Sequence, residues 1–222
     1  MKTLIVERDA VLPVAVLRLN RPEVRNAFNE VLIEELTQTI KKLEKDSSIR
    51  AVVLRGEGPT FCAGGDMNWL RKAIDFTPKQ NLKDTLTLAQ LFERMNEFPK
   101  PIIGLIHGAA IGGGVGLVSV CDVVIASQET VFSLSEVRLG VVPACIGPFV
   151  ISKIGASHAR RYFMSGERFH AREAQKIGLV HEVVDDPSQL NHALEQILQN
   201  IVLCGPKAMA SAKKLVLDLS WP

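Results

Sequence analysis

Two glycine-rich turns hold the residues of this chain that are best placed to do chemistry. In the first, "AVVLRG" (51–56) runs into "FCAGGD" (61–66). In the second, "PIIGLI" (101–106) runs into "GAAIGGGVG" (108–116). Each is a short apolar run, then glycines, then the start of a helical pattern. Glycine permits positive φ and lets a ligand approach the backbone closely. A helix N-terminus presents unpaired N–H groups and a partial positive charge. Two such turns from adjacent strands could aim two amides at one point, the arrangement that holds a developing oxyanion. The same glycines would equally serve close helix packing, and spacing alone does not separate the two.

Other chemistries for these glycines fail on their own patterns. "GGGVGL" lacks the third glycine of the dinucleotide fingerprint, no acid follows at the matching distance, and GxxxxGK[ST] is absent. From Pro101 to Cys121 there is no charged residue, so the stretch is long enough to span a bilayer. Its consecutive glycines and His107 argue against a membrane helix, and its two halves read as a buried strand and a buried helix start.

The chain has 222 residues, with 47% apolar and 23% charged, the profile of a globular protein with a real core. A net charge of +2 with both signs interspersed gives no reason to expect nucleic acid or an anionic membrane as a partner. Glu7 and Asp9 fall where a signal peptide would be apolar. Cys62, Cys121, Cys145 and Cys204 form no CxxC pair and no metal-ligand spacing, so the expectation is reduced thiols, no metal and a cytoplasmic protein.

The positioning elements follow from periodicity. "TLIVER" and "VAVLRL" read as two strands joined by a turn, with the loop "LNRPEVRNAFN" after them. Leu32, Leu36, Ile40 and Leu43 mark an amphipathic helix, and Thr77-Pro78 opens a second helix over 78–97. "AVVLRG", "PIIGLI" and "DVVIAS" are buried strands, and residues 131–143 read as irregular. From Gly147 onward helices dominate, interrupted by the strand "LVHEVV". The alternation predicts an α/β fold with parallel strands inside.

Together, "LNRPEVRNAFN", "FCAGGDMNW", "KPIIGLIHGAAIGGGVGLVSVCDVVIAS", "FSLSEVRLGVVPA" and "GERFHAREAQKIGLVHEVV" resemble the crotonase, or enoyl-CoA hydratase/isomerase, superfamily over nearly the whole chain. "GGDMNWL", "GGGVGL" and "SEVRLGVVPACIGPFV" look most like the branch that includes bacterial methylglutaconyl-CoA hydratases. The resemblance implies a crotonase-like ββα spiral core over 1–186 and a C-terminal helical region over 187–222. That region is shorter than the family's, which leaves the completeness of its site open. It implies an oxyanion hole made by the amides of Gly65 and Gly113, and coenzyme A contacts from Arg25, Ala27, Ala63, Gly65, Asp66 and Met67. Coenzyme A would enter only as part of the acyl-CoA substrate, with no separate cofactor. The assembly would be a homotrimer or a dimer of trimers.

The family's best-known hydratases carry two glutamates. The first matches Gly116 here and is absent; the second matches Glu136 and is present. The resemblance makes Glu136 the catalytic acid/base; read by itself, it would be a surface carboxylate paired with Arg138. Hydratase is the first reading. Isomerase on the same site is the alternative, because one carboxylate suffices to shuttle a proton between two carbons. A catalytically silent acyl-CoA-binding member is the third. Asp66 is expected to cap the helix "MNWLRK", Asp122 to anchor an element end, Ser135 to bond locally and His107 to be a satisfied structural histidine. Trp69 and Met67 either line the acyl pocket or belong to the core.

Overall fold

The computed structural model describes residues 2–220, and it runs as strands and helices in alternation. Met1, Trp221 and Pro222, at the outer ends of the two expected regions, lie outside the described residues. β1 (Leu4–Arg8) and β2 (Val14–Leu19) form an antiparallel hairpin with Leu4 opposite Leu19. Asp9 fixes its turn: the carboxylate accepts from the amides of Leu12 and Val11 at 2.8 and 2.9 Å, and those bonds hold its pKa below the ordinary value. α1 (Glu30–Lys45) starts at Asn29, whose side chain accepts from the Leu32 amide, and it buries the stripe Leu32, Leu36, Ile40 and Leu43.

β3 (Ala51–Gly56) is followed by α2 (Met67–Lys72) and α3 (Pro78–Asn96), the latter opened by a Thr77–Gln80 capping box. Then come β4 (Ile102–Ile106), β5 (Ala109–Ile111), α4 (Gly113–Ser119), β6 (Val123–Ser127) and β7 (Val131–Ser133). The rest is α5 (Gly147–Ser165), β8 (Arg168–His170), α6 (Ala171–Lys176), β9 (Glu182–Val184), α7 (Leu190–Leu203) and α8 (Pro206–Ser220).

The main sheet has the order β1-β2-β3-β4-β6-β9, parallel from β2 onward. Strand alternation gives it two apolar faces. Val52 and Leu54 face one core with Leu36 and Ile40 of α1 and Leu91 and Phe92 of α3. Ala51, Val53, Ile103 and Ile125 face the other, which α7 covers with Leu190, Ala193 and Leu198. A second sheet, β5-β7-β8, is made of three-residue strands, with β5 and β7 parallel and β7 and β8 antiparallel. Sequence periodicity does not announce it: 131–143 was expected to be irregular throughout, yet it opens with β7. Among the described residues no helix is long and apolar enough to cross a membrane, so the uncharged run is β4, β5 and α4.

α8 buries none of its residues and exposes Leu215, Val216 and Leu219. One ion pair ties it down. Lys213 Nζ lies 2.9 Å from Asp122 Oδ1, while Asp122 Oδ2 accepts from the Ile102 amide at 2.7 Å. Asp122 thus anchors the starts of β4 and β6 as well as α8. Replacing it leaves an amide and a half-buried ammonium without their acceptor. Asp122→Ala is expected to lower the unfolding free energy by about 2 kcal/mol in urea titration. Lys213→Ala should cost less, because the Ile102 amide keeps its partner. Equal stability of parent and Asp122→Ala would contradict this anchor.

Candidate active site

β3 and β4 are parallel neighbours, so both glycine turns leave the same edge of the sheet. After β3 the segment from Phe61 to Asp66, which turns at Gly64 with φ of 89°, is bonded along both sides. On one side Phe61 N donates to His107 O at 3.0 Å, Cys62 N to Ala109 O at 3.0 Å, and Ile111 N to Cys62 O at 2.9 Å. On the other, Ala63 N donates to Arg25 O at 2.9 Å, Phe28 N to Gly64 O at 2.6 Å, and Asp66 N to Phe28 O at 2.8 Å. The Phe28–Gly65 bridge is parallel, so it uses the groups flanking Gly65 and not Gly65's own amide. Gly113 is the first residue of α4, so its amide has no acceptor within the helix. None of the hydrogen bonds of the described residues uses either amide. The two turns touch, for a Cβ built on Gly64 would lie 3.6 Å from Gly113 N.

Both amide-bearing residues line one cleft of about 580 Å³. Its walls are the two turns, α2, α3 and the segment from Ser133 to Ile146. Glu136 enters from a 3₁₀ turn over Ser135–Leu139 that follows β7. The second sheet places it: Gly112 N donates to Ser133 O at 2.8 Å, which brings the end of β7 against the second glycine turn. Gly112 has φ of 52°, and a Cβ there would stand 2.9 Å from Glu136 Oε1. The carboxylate therefore rests against the backbone one residue from the Gly113 amide. Its Oε2 is buried without a hydrogen-bond partner, and burial pushes its pKa above the ordinary value. Among the described residues no ion pair joins Glu136 to Arg138, so the surface-pair reading of this acid fails.

Gly116 explains the absent first glutamate. A Cβ on it would come within 2.3 Å of Ile146 Cγ2 and 3.0 Å of Phe92 Cε1. Ile146 and Phe92 are 3% and 0% exposed, so that space is core. Among the described residues Glu136 is the one glutamate that lines the cleft, and core side chains fill the space beside Gly116.

The remaining expected residues divide. Ala63, Gly65 and Met67 line the cleft with Gly113 and Glu136; Arg25, Ala27 and Asp66 are not among its lining residues. Arg25 supplies the carbonyl for Ala63, and Ala27 the carbonyl for Arg21 Nη1. Asp66 caps α2 through the Asn68 amide at 2.8 Å and pairs with Arg21 Nη2 at 2.8 Å. Burial raises the Asp66 carboxyl, but Arg21 and the Asn68 amide outweigh it and hold its pKa below the ordinary value. Trp69 both lines the cleft and belongs to the core, so the two readings of it meet. His107 Nε2 bonds to the Gly58 carbonyl at 2.8 Å and is structural. Cys62 and Cys121 are buried thiols pushed up to about 12 by desolvation, too poorly ionised to act. Among the described residues no group of three His, Cys, Asp or Glu could hold a metal ion.

Sequence reasoning did not single out Asn26, Asp84 and Arg168 as parts of this region, and named Arg138 only as a surface partner of Glu136. Asn26 is fully buried at φ of 57°, and its Nδ2 donates to Glu57 O and Thr60 O at 2.8 and 2.7 Å. It ties the loop before Phe28 to the segment leading into the first glycine turn. The other three line the cleft. Asp84 could have been found from the i, i+3, i+4 spacing of polar residues Asn81, Asp84 and Thr85 on α3.

Comparison with known proteins shows the family. Residues 11–218 match the family model described as enoyl-CoA hydratase/isomerase. The chain is 36% identical over 217 residues to the 2,3-dehydroadipyl-CoA hydratase of Escherichia coli, covering 96% of this chain and 81% of that one. It is 32% identical over 218 residues to the short-chain-enoyl-CoA hydratase of Clostridium acetobutylicum, covering 97% and 81%. Its structure superposes on an enoyl-CoA hydratase from Shewanella pealeana with a TM-score of 0.94, at 36% identity and covering 98% and 80%.

The plug at Gly116 has a direct consequence. Gly116→Glu forces a carboxylate into the packing of Ile146 and Phe92, and is expected to destabilise the fold by about 3 kcal/mol or more. The double change Gly116→Glu with Ile146→Gly should recover part of that loss in thermal melts. A single Gly116→Glu variant as stable as the parent would refute the packing account.

Proposed function

Because the chain belongs to the enoyl-CoA hydratase/isomerase family, we propose that it adds water across the double bond of an α,β-unsaturated acyl-CoA, with Gly65 and Gly113 as the oxyanion hole and Glu136 as the single acid/base. The observation that carries this reading is the meeting of two unbonded amides and one unpartnered, desolvated carboxylate on one cleft. The thioester oxygen accepts from Gly65 N and Gly113 N. As charge builds on that oxygen, each donor is worth about 3–4 kcal/mol of barrier. Glu136 takes a proton from water while the water oxygen bonds to the β-carbon and the π electrons move to the thioester oxygen as an enolate. The enolate then collapses, and the α-carbon receives the proton held on Glu136. The carboxylate is regenerated, so one residue serves as base and then acid.

Coenzyme A runs past the first glycine turn in this reading, against Ala63, Gly65 and Met67, with Arg25, Ala27 and Asp66 supporting those positions. Isomerisation is the second reading, and the observation that favours it is the filled space at Gly116. With one carboxylate, Glu136 could move a proton between two carbons of the acyl chain without water. The exposed apolar residues of α8, Leu215, Val216 and Leu219, support self-association through that helix, with a trimer as the expected form.

Incubation with crotonyl-CoA separates the readings. Hydration removes the conjugated thioester absorbance and yields a 3-hydroxyacyl product; isomerisation conserves the formula; a silent binder does neither. Glu136→Gln is expected to lower kcat by about a hundredfold or more, the scale of a lost acid/base. In the parent, kcat/KM should fall as pH falls through the raised pKa of Glu136, because only the ionised form takes a proton from water. Stability carries the opposite sign. The folded protein holds the proton on Glu136 more tightly than the unfolded chain, so this group's stabilising contribution is present at low pH and lost as pH rises through that pKa. The melting temperature of Glu136→Gln relative to the parent should therefore climb as pH rises above the ordinary glutamate range and through the raised pKa of Glu136. Parent-level turnover by Glu136→Gln would remove this residue from the chemistry.

A further inference from the structure

The wall of the cleft that faces an acyl chain is not uniformly apolar. α3 turns Asn81, Asp84, Thr85 and Leu88 toward it, residues that share one helical face. Around them stand Trp69, Leu70 and Ala73. Asp84 is partly buried there and shares this wall with the Trp69 indole. Burial raises its pKa above the ordinary value; Trp69 opposes this, and Glu30, a charge of the same sign, adds to it. The two guanidinium groups of the cleft lie elsewhere. Arg138 belongs to the Glu136 turn and Arg168 is the register partner of Ser133, and both are exposed.

We infer that Asp84 is a specificity-determining residue: set into the acyl wall beside Trp69, its carboxylate turns away acyl chains that end in a carboxylate and favours neutral ones, above all those with a hydroxyl that can donate to it. The inference rests on the acyl-CoA reading of this cleft. Two carboxylates brought together on a partly buried wall repel, and no cation of the described residues pairs with Asp84 to relieve them. A hydroxyl at the same place can donate to the Asp84 carboxylate, which is an acceptor only. This runs against the dicarboxylic acyl group suggested by the methylglutaconyl-type motifs, and it comes from a residue outside those motifs.

Butyryl-CoA and glutaryl-CoA test it. They share coenzyme A and differ by a terminal carboxylate, and neither has a double bond to hydrate. Calorimetric titration of the parent chain at about pH 8 is expected to show glutaryl-CoA binding about tenfold or more weaker than butyryl-CoA, the effect of unrelieved like charges. Asp84→Asn, which keeps the shape and removes the charge, should bring the two affinities together. Equal or tighter binding of glutaryl-CoA by the parent would overturn the inference and assign the tail to Arg138 and Arg168. An unchanged ratio in Asp84→Asn would overturn it as well. The parent's own ratio needs no variant, so a poorly folding Asp84→Asn does not shield the proposal. Failure of the underlying acyl-CoA reading looks different: neither thioester would bind, and both proposals would fall together.

Discussion

The amide of Gly65 has no internal acceptor because the segment from Phe61 to Asp66 is bonded along both edges by other groups. His107, Ala109 and Ile111 hold one side; Arg25 and Phe28 hold the other. Each bond fixes a neighbour of Gly65 and none consumes Gly65 itself. Gly65 is partly buried and lines the cleft, so its unpaired amide is left for whatever the cleft holds. Here the two flanking ladders hold it in place, and Asn26, buried and bonded to two further carbonyls, fixes the loop that carries one of them. The site depends on this double pairing more than on any side chain.

The second sheet completes the site. β5 pairs with the first glycine turn through Cys62 and with β7 through its own register. β7 ends at Ser133 and hands the chain to the turn that bears Glu136. β5 and β7 therefore connect the turns that carry Gly65 and Gly113 to the turn that carries Glu136. The crotonase-like architecture reads as a scaffold whose main sheet aims two turns and whose small sheet brings one carboxylate to them. Glu136 is held where its charge is poorly solvated, which favours proton transfer at the expense of stability.

Much of this was legible in the residues. The main-sheet strands are runs of β-branched and apolar residues, α1 declares itself by its apolar spacing, and α3 by Thr77-Pro78 at its start. The glycine turns were legible because glycine is required by their backbone. At Gly112 φ is positive, and any side chain would strike Glu136. β5, β7 and β8 were not legible, because three residues cannot establish a period and "AAI" has no strong strand preference. The filling of the space beside Gly116 by Ile146 was equally hidden, since it depends on a contact between distant positions that no local pattern encodes. Asp84 escaped for a related reason: a lone acid on a helix reads as a solvated residue until the fold turns it inward.

The claim on which the rest depends is that Gly65 and Gly113 receive the thioester oxygen together. The most direct measurement is a crystal structure of this chain with a non-reactive acyl-CoA analogue bound. The account predicts the thioester oxygen within hydrogen-bond distance of both Gly65 N and Gly113 N, about 2.7–3.2 Å from each, with the α-carbon beside Glu136. A thioester oxygen bonded to neither amide, or an acyl group seated outside the cleft, would contradict it.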